Sequence, residues 1–237
     1  MFSYYGSKGK IAHFYPKPLH GQIIEPFAGS ARYALKYWEN DVLLVDKYEV
    51  VIRIWAWLQQ CSPSDILGLP LLRSGMDLRK LSLSNEEKLY LSFLASVGSK
   101  SPTWKVSPFA ADKFEKYGVS IYKKAAVNLK KIRHWKIRHG EYNDIENQIA
   151  TWFVDPPYTV GGQYYPFGSK QIDYQQLSEW CHSRNGQVIV CENSKANWLD
   201  FKPICRSTGG KNRVYTESIW SNHQTVYDHV QQLMFTI

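Results

Sequence analysis

The sequence lacks the features that mark several specialised classes of protein. It has no uninterrupted apolar run of membrane-spanning length and no charged, apolar, small-residue leader at its N-terminus. Its four cysteines (Cys61, Cys181, Cys191 and Cys205) form no CxxC pair, a spacing that argues against a disulfide framework or a zinc site. We therefore expect a monomeric cytoplasmic protein with reduced thiols that binds neither a membrane nor a metal.

Acidic residues are scarce in one part of the chain. Between positions 100 and 140, eleven Lys or Arg residues stand against Asp112 and Glu115, whereas the whole chain of 237 residues has a net charge of +8. Aromatic residues such as Trp104 and Tyr117 are interleaved with these charges. This pattern predicts a contact with nucleic acid, although a solvated helix face with surplus lysine would have the same composition.

The alternation of apolar runs and amphipathic stretches predicts an α/β fold. A short strand ends near Glu25, a turn of small residues follows, and a helix begins at about Ala31. The next strand ends at Val45 with Asp46 at its tip, and a second amphipathic helix follows. Two consecutive strand–helix units predict a parallel sheet with right-handed crossovers.

Further strands are predicted after a central interruption. They cover 136–142, 150–154 and 187–193, and a helix at 174–183 separates the last two. The alternating stretches 215–222 and 231–237 predict antiparallel strands at the edge of the sheet.

The interruption is predicted to be a small, mainly helical insertion. It covers 61–119 and contains a helix that Ser84 or Asn85 would cap, whereas 99–118 shows no clean period. Another helix is predicted from Val119 onwards. The chain would thus have a discontinuous main domain, 1–60 and 120–237, and an inserted domain.

The turn after the first strand is typical of a nucleotide-like ligand site. The small residues around Gly29 would let the backbone approach a ligand, which the free N–H groups of the following helix would face. Without a full G-x-G-x-x-G pattern, a plain tight turn would look the same. Asp46 could bind ribose hydroxyls or simply cap its helix. The N-terminal FSYYGSKGK could be a flexible arm or a loop that folds over the ligand.

The sequence DPPY, at 155–158, follows the buried strand Trp152–Val154. Two prolines hold Asp155 and Tyr158 rigidly at the carboxyl end of that strand, where open α/β sheets bind ligands. The Tyr158 ring could stack on a planar base, and the Asp155 carboxylate and Pro156 carbonyl could accept hydrogen bonds from an amine on that base. Together with the turn at Gly29, this indicates transfer of a group to a base amine.

The ordered set YYGSK, EPFAGSA and DPPY resembles the Dam-like, D12-class DNA adenine-N6 methyltransferases over nearly the whole chain. The resemblance implies a Rossmann-like class I methyltransferase sheet with an inserted target-recognition domain. It implies a site-specific enzyme of bacteria or their phages that transfers a methyl group from S-adenosylmethionine to N6 of an adenine flipped out of double-stranded DNA.

The same resemblance assigns roles to individual residues. The catalytic motif would be Asp155, Pro156, Pro157 and Tyr158. The cofactor would lie against Tyr4, Tyr5, Gly6, Lys8, Glu25, Pro26, Phe27, Gly29, Ser30, Asp46, Glu141, Tyr142 and Asp155. DNA would contact Lys100, Trp104, Lys105, Lys113, Lys116, Lys123 and Lys124.

Other functions would fit parts of this pattern. Related D/N-P-P-Y motifs occur in methyltransferases that act on cytosine N4, on guanine N2 of RNA and on protein glutamine. A nucleic-acid-binding protein that has lost catalysis could keep the same fold. Fortuitous turns on a basic surface are the purely structural alternative.

Overall fold

The computed structural model describes residues 1–2, 4, 8–9, 11–96, 101–208 and 214–223. Its centre is a seven-stranded sheet in the order β3-β2-β1-β4-β5-β7-β6, in which β7 runs opposite to the other six strands. The strands are β1 Gln22–Glu25, β2 Asp41–Asp46, β3 Lys136–His139, β4 Ala150–Val154, β5 Gly186–Asn193, β6 Lys202–Thr208 and β7 Val214–Ser221. This mixed sheet of mostly parallel strands is compatible with a Rossmann-like fold.

Six α-helices connect and flank the strands in the described part of the chain. They are α1 Arg32–Lys36, α2 Glu49–Gln60, α3 Pro63–Leu67, α4 Asn85–Ala95, α5 Pro108–Asn128 and α6 Tyr174–His182. Helix α4 begins with a capping box in which Ser84 and Glu87 satisfy each other's backbone N–H groups, as a cap at Ser84 predicted. Short 3₁₀ turns complete the connections.

The order of the strands determines where a ligand can bind. Strands β1 and β4 are neighbours, and the chain continues from β1 to β2 on one side and from β4 to β5 on the other. All five residues of β4 are buried, so it is a central strand, and the prolines at 156 and 157 prevent its continuation. Because β1 and β4 are parallel, Glu25 and Asp155 lie at the same edge of the sheet, at the carboxyl ends of these strands. The strand order changes direction between β1 and β4, and ligands typically bind at such a point.

The structure confirms most of the predicted elements and differs in three places. Strand β6, at Lys202–Thr208, was not predicted, because Pro203 and the polar residues of that segment hide its alternation. As a result β7 is antiparallel, as predicted, but lies inside the sheet and leaves β6 at the edge. Helix α5 begins at Pro108 and not at Val119. The strand predicted at 231–237 lies outside the described residues.

The predicted insertion is mainly helical and shares its core with the rest of the protein. Ile66, Phe93 and Phe114 of the insertion belong to the same cluster of buried side chains as Trp55 of α2 and residues of the sheet. The proposed boundary between 119 and 120 falls inside the continuous helix α5.

Two further findings concern membrane-spanning helices and metal-binding groups. Among the residues that the structure describes, no helix is long and apolar enough to cross a bilayer. In the same part of the chain, no group of three or more His, Cys, Asp or Glu side chains is arranged to hold a metal ion.

Candidate active site

A cavity of about 210 Å³ lies at the carboxyl ends of β1, β2 and β4. It brings together residues that are distant in the sequence, and most of those predicted to bind the cofactor line it. These are Tyr4, Lys8, Glu25, Pro26, Phe27, Gly29, Ser30, Asp46, Glu141, Tyr142 and Asp155. Tyr5 and Gly6, also predicted for this site, lie outside the described residues.

The turn between β1 and α1 forms one wall of the cavity. Gly29 has a φ of 45°, a left-handed conformation that favours glycine, and a side chain there would press on the Tyr4 ring, because a Cβ atom would lie 3.2 Å from it. The turn is held on both sides: the Gly29 N–H donates to Asp46 Oδ2 at 2.9 Å, and the indole N–H of Trp55 donates to the Gly29 carbonyl at 2.9 Å. The backbone of the turn therefore lies directly against the cavity.

Asp46 connects this turn to the end of β2. Its second oxygen, Oδ1, accepts a hydrogen bond from the Tyr48 N–H at 2.8 Å, so the carboxylate braces two turns and does not serve as the N-cap of α2, which is Tyr48. Burial raises the pKa of Asp46 to about 6, against the opposing effect of the two backbone donors. Each oxygen retains capacity for a further donor, such as a hydroxyl group.

Glu25 lies at the end of β1, where it is buried. Its Oε1 accepts a hydrogen bond of 2.6 Å from the Ala34 N–H, so the carboxyl group fixes the short helix α1 to the sheet. Burial raises its pKa to about 8. Glu25 thus has a structural partner in addition to its place in the cavity wall.

The raised pKa of Glu25 leads to a prediction about stability. A carboxyl group whose folded-state pKa is about 8 contributes stability that is complete below its ordinary value of 4.5 and is lost as the pH rises through 8. The Glu25→Gln variant keeps the acceptor but cannot ionise. Between pH 5 and pH 8.5 we therefore expect the wild type to lose stability that the variant keeps. The loss, measured as free energy of unfolding relative to the variant, should be on the order of a few kcal/mol. Denaturant titrations at both pH values would measure this, and parallel pH profiles would contradict it.

Two aromatic rings, Phe27 of the turn and Tyr142, form another part of the cavity wall. Phe27 and Tyr142 stack with their ring centroids 5.6 Å apart and their planes at 28°. The Tyr142 hydroxyl donates to Gln176 at 3.0 Å, and Trp180 packs edge-on against the Tyr142 ring. This rigid apolar surface suits a flat heterocycle.

Glu141 lies at the open rim of the cavity. Its carboxylate forms an ion pair of 2.8 Å with Lys47, and both side chains are more than two-fifths exposed. The exposed Glu141 carboxylate is therefore accessible to a ligand that enters the cavity from solvent.

The Asp155 carboxylate of the predicted motif has a buried cationic partner. Lys8 Nζ lies 3.0 Å from Asp155 Oδ1 and 4.3 Å from the centre of the Tyr158 ring. Burial raises the pKa of Asp155, and the Lys8 ammonium opposes that rise. Although burial alone would lower the pKa of Lys8, Asp155 and Glu217 outweigh it and hold that pKa above its ordinary value.

Lys8 was predicted to lie on the cofactor side and in fact also contacts the motif. Its ammonium lies over one face of the Tyr158 ring, and Tyr158 itself does not line the cavity. A base that stacks on this face would therefore displace the Lys8 ammonium.

The two prolines of the motif differ in position. Pro157 lines the cavity, and its carbonyl accepts a hydrogen bond from the Tyr174 hydroxyl. Pro156 is buried and does not line the cavity, and no donor among the described residues contacts its carbonyl.

The segment that follows the motif, 161–167, also contributes to the site, which was not predicted from the sequence. Tyr165 packs against Tyr4 with ring centroids 5.7 Å apart, and Phe167 packs edge-on against Tyr48, so the segment forms a further wall of the cavity. Gly162 lets the segment fold closely onto the motif, because a Cβ atom there would lie 2.7 Å from the Pro157 carbonyl carbon. The glycines and aromatic residues directly after DPPY were the signal that could have predicted this wall.

Glu217 on β7 was also missed. Its Oε1 accepts hydrogen bonds from the hydroxyl groups of Tyr158 and, at 2.8 Å, of Tyr15, and it lies 3.8 Å from Lys8 Nζ. An acidic residue in an alternating strand usually faces solvent, so the sequence pattern contains no sign of this contact.

The residues predicted to contact DNA occupy two places. Lys113, Lys116, Lys123 and Lys124 project from α5, the first half-buried and the others exposed, alongside the exposed rings of Phe109 and Tyr117. Their spacing puts all six on one face of the helix. Lys116 forms an ion pair of 2.9 Å with Asp112.

Trp104 and Lys105 lie before this helix. Trp104 packs partly against the core, whereas Lys105 is exposed and forms an isolated antiparallel bridge with Asp77. Lys100 lies outside the described residues.

Comparison with known proteins adds no family to this description: no protein-family model matches the chain, and no curated protein matches its sequence.

Proposed function

We propose that the protein is a DNA methyltransferase that transfers a methyl group from S-adenosylmethionine to N6 of a flipped-out adenine. One observation carries the proposal. Lys8 and Asp155 line the same cavity as the Gly29 turn, and the Lys8 ammonium contacts both the Asp155 carboxylate and the Tyr158 ring. A site for a base amine thus adjoins a site suited to a nucleoside. The sheet is also compatible with the class I methyltransferase fold that the motifs imply.

The residues of the cavity fit S-adenosylmethionine in chemistry. The stacked rings of Phe27 and Tyr142 offer an apolar surface for its adenine, and Asp46 offers acceptors for its ribose hydroxyls. Gly29 lets the ligand approach the backbone, and the buried Glu25 can accept a hydrogen bond from its ammonium group. When bound, S-adenosylmethionine would supply the activated methyl group.

The residues of the motif would position the target amine. The Asp155 carboxylate accepts a hydrogen bond from the amine and favours the pyramidal nitrogen, whose lone pair is then free to attack. The same carboxylate, whose pKa burial raises, can receive the proton that the amine releases. Because the lone pair of an aromatic amine is delocalised, this alignment supplies much of the catalytic effect.

The basic face of α5 would hold the DNA. Four lysines and two exposed aromatic rings on one helical face suit the phosphate backbone and unstacked bases better than they suit a protein core. Their phosphate contacts would offset the cost of extruding the base, roughly a few kcal/mol.

A first experiment tests the reaction and the substrate together. The protein is expressed in a host without DNA methylation, and single-molecule sequencing of the genomic DNA detects modified bases. We expect N6-methyladenine at most occurrences of a single sequence motif. The modification of cytosine, or of RNA alone, would move the proposal to another base amine.

A second experiment tests the cofactor without any assumption about the substrate. S-Adenosylmethionine should raise the Tm of the purified protein, because it binds the folded state alone. The Gly29→Val variant should lose this shift, since its side chain would clash with Tyr4 and fill the turn. Gly75→Val serves as a matched control, because Gly75 also has a positive φ but faces open space. An equal shift in both variants would contradict the assignment of the turn.

A further inference from the structure

A buried carboxylate lies directly beneath the catalytic motif. Glu217 is 8% exposed, and β7 places it between Asn193 of β5 and Cys205 of β6 in the register of the sheet. Strand β7 is flanked on both sides, so the Glu217 backbone is held rigidly. Burial of a carboxylate is costly unless it is paired, and here it is paired with groups of the site.

Three groups converge on one oxygen of this carboxylate. The Tyr158 hydroxyl and the Tyr15 hydroxyl both donate to Glu217 Oε1, the second at 2.8 Å. The Lys8 ammonium lies 3.8 Å from the same oxygen and 3.0 Å from Asp155. Lys8 therefore lies between two carboxylates, one in the motif and one behind it.

These contacts restrain Tyr158 at both ends. Two prolines restrict the backbone before Tyr158, and the hydrogen bond to Glu217 fixes the far end of its ring. A ring fixed at one end only would swing about its Cα–Cβ bond. A ring fixed at both ends is a preorganised surface for stacking.

Glu217 also provides a second anionic partner for the Lys8 ammonium. The ammonium lies over one face of the Tyr158 ring, and a base that stacks on that face would take its place. When the target amine replaces Lys8 on Asp155, a short movement brings the ammonium to Glu217, and a buried positive charge is not left unpaired.

We infer that Glu217 is a positioning residue of this site, which orients the Tyr158 ring for stacking and receives the Lys8 ammonium that the target base displaces. The inference rests on the proposed function. It assigns to β7 a part in the site that the motifs do not indicate.

The test compares single-turnover methylation by four proteins on DNA with the mapped recognition sequence. They are the wild type, Glu217→Gln, Tyr158→Phe and the double variant. We expect each single change to slow methylation roughly tenfold or more, because each removes or weakens a hydrogen bond to a charged group. The double variant should be no slower than the worse single variant, because both changes act on one contact. A loss in the double variant equal to the product of the two single losses would overturn the inference.

Two controls separate positioning from a general loss of stability. Ser218→Ala changes the next residue of β7, whose buried hydroxyl has no hydrogen-bond partner among the described residues, and should leave the rate unchanged. The Kd of S-adenosylmethionine should change less than about threefold in Glu217→Gln, since this residue does not line the cavity. A weakening of cofactor binding that accounts for the whole loss of rate would overturn the positioning role.

A direct readout of the ring uses 2-aminopurine in place of the target adenine. Its fluorescence is quenched when it stacks on an aromatic ring, so Glu217→Gln should give brighter emission than Ser218→Ala in the bound complex. Equal emission would overturn the inference.

A failure of the proposed function can be distinguished from a failure of the positioning role, because in the first case the wild type methylates no DNA. In that event crystal structures of the wild type and Glu217→Gln decide the positioning role, and an unmoved Tyr158 ring in the variant overturns it.

Discussion

Asp155→Ala is expected to lower the rate of methyl transfer roughly a thousandfold or more, because in the proposed reaction the carboxylate contacts the reacting amine. S-Adenosylmethionine should still bind, since Gly29, Asp46 and the Phe27–Tyr142 surface are unchanged. Rapid-quench measurement of methylation and a separate measurement of cofactor Kd would distinguish the two effects. A variant that methylates DNA at a near-normal rate would contradict the role of Asp155.

The control for this experiment has to account for Lys8. Removal of Asp155 takes away the nearer partner of a buried ammonium and leaves Glu217 at 3.8 Å. The Asp155→Ala protein is therefore expected to be less stable, and its Tm has to be measured alongside its activity. Asp155→Asn preserves the shape and one acceptor oxygen and should be more stable than Asp155→Ala while remaining strongly impaired. Asp200→Ala, at an exposed carboxylate, should change neither property.

The combined replacement of Lys113, Lys116, Lys123 and Lys124 by alanine is expected to weaken DNA binding roughly a hundredfold at low salt. Each lysine that contacts a phosphate adds about 0.9 to the slope of log K against log salt concentration, so the slope should fall by roughly three. We expect less than the full effect of four lysines, because Lys116 is already paired with Asp112. Fluorescence anisotropy at several salt concentrations measures both quantities.

Removal of positive charge elsewhere provides the comparison. Lys17 and Lys136 are exposed; Lys17 precedes β1 and Lys136 is the first residue of β3, so both lie toward the edge of the sheet opposite the cavity. Their replacement by alanine should change DNA affinity only slightly. If these two changes weakened binding as much per lysine as those on α5, net charge and not the α5 face would determine binding.

The parts of the fold that the sequence predicts are those with a strong local signal. Strand β4 is mostly apolar and is followed by Asp155 and two prolines, and α4 has a capping box, so both were predicted within a few residues. The early start of α5 was missed because Gly118 interrupts its apolar stripe. Gly118 lies where the helix meets Leu71, too close for a side chain.

The candidate site was predictable only where its residues come from one continuous motif. Asp155 and Tyr158 stand together in the sequence, whereas their partners Lys8 and Glu217 come from opposite ends of the chain. Those contacts form because the fold places Lys8 next to Asp155 and because β7 pairs with β5 inside the sheet. Neither event leaves a periodic pattern in the sequence.

If the insertion recognises DNA as proposed, the continuity of α5 limits how that recognition could be changed. Because this helix runs without a break from the insertion into the main domain, and both contribute to one hydrophobic core, the insertion cannot be exchanged as a cassette. A graft that ends at 119 would cut a helix in two and would remove Phe93 and Phe114 from the core that they share with Trp55 of α2. New sequence preferences would have to be selected one surface residue at a time, with the helix as a fixed scaffold.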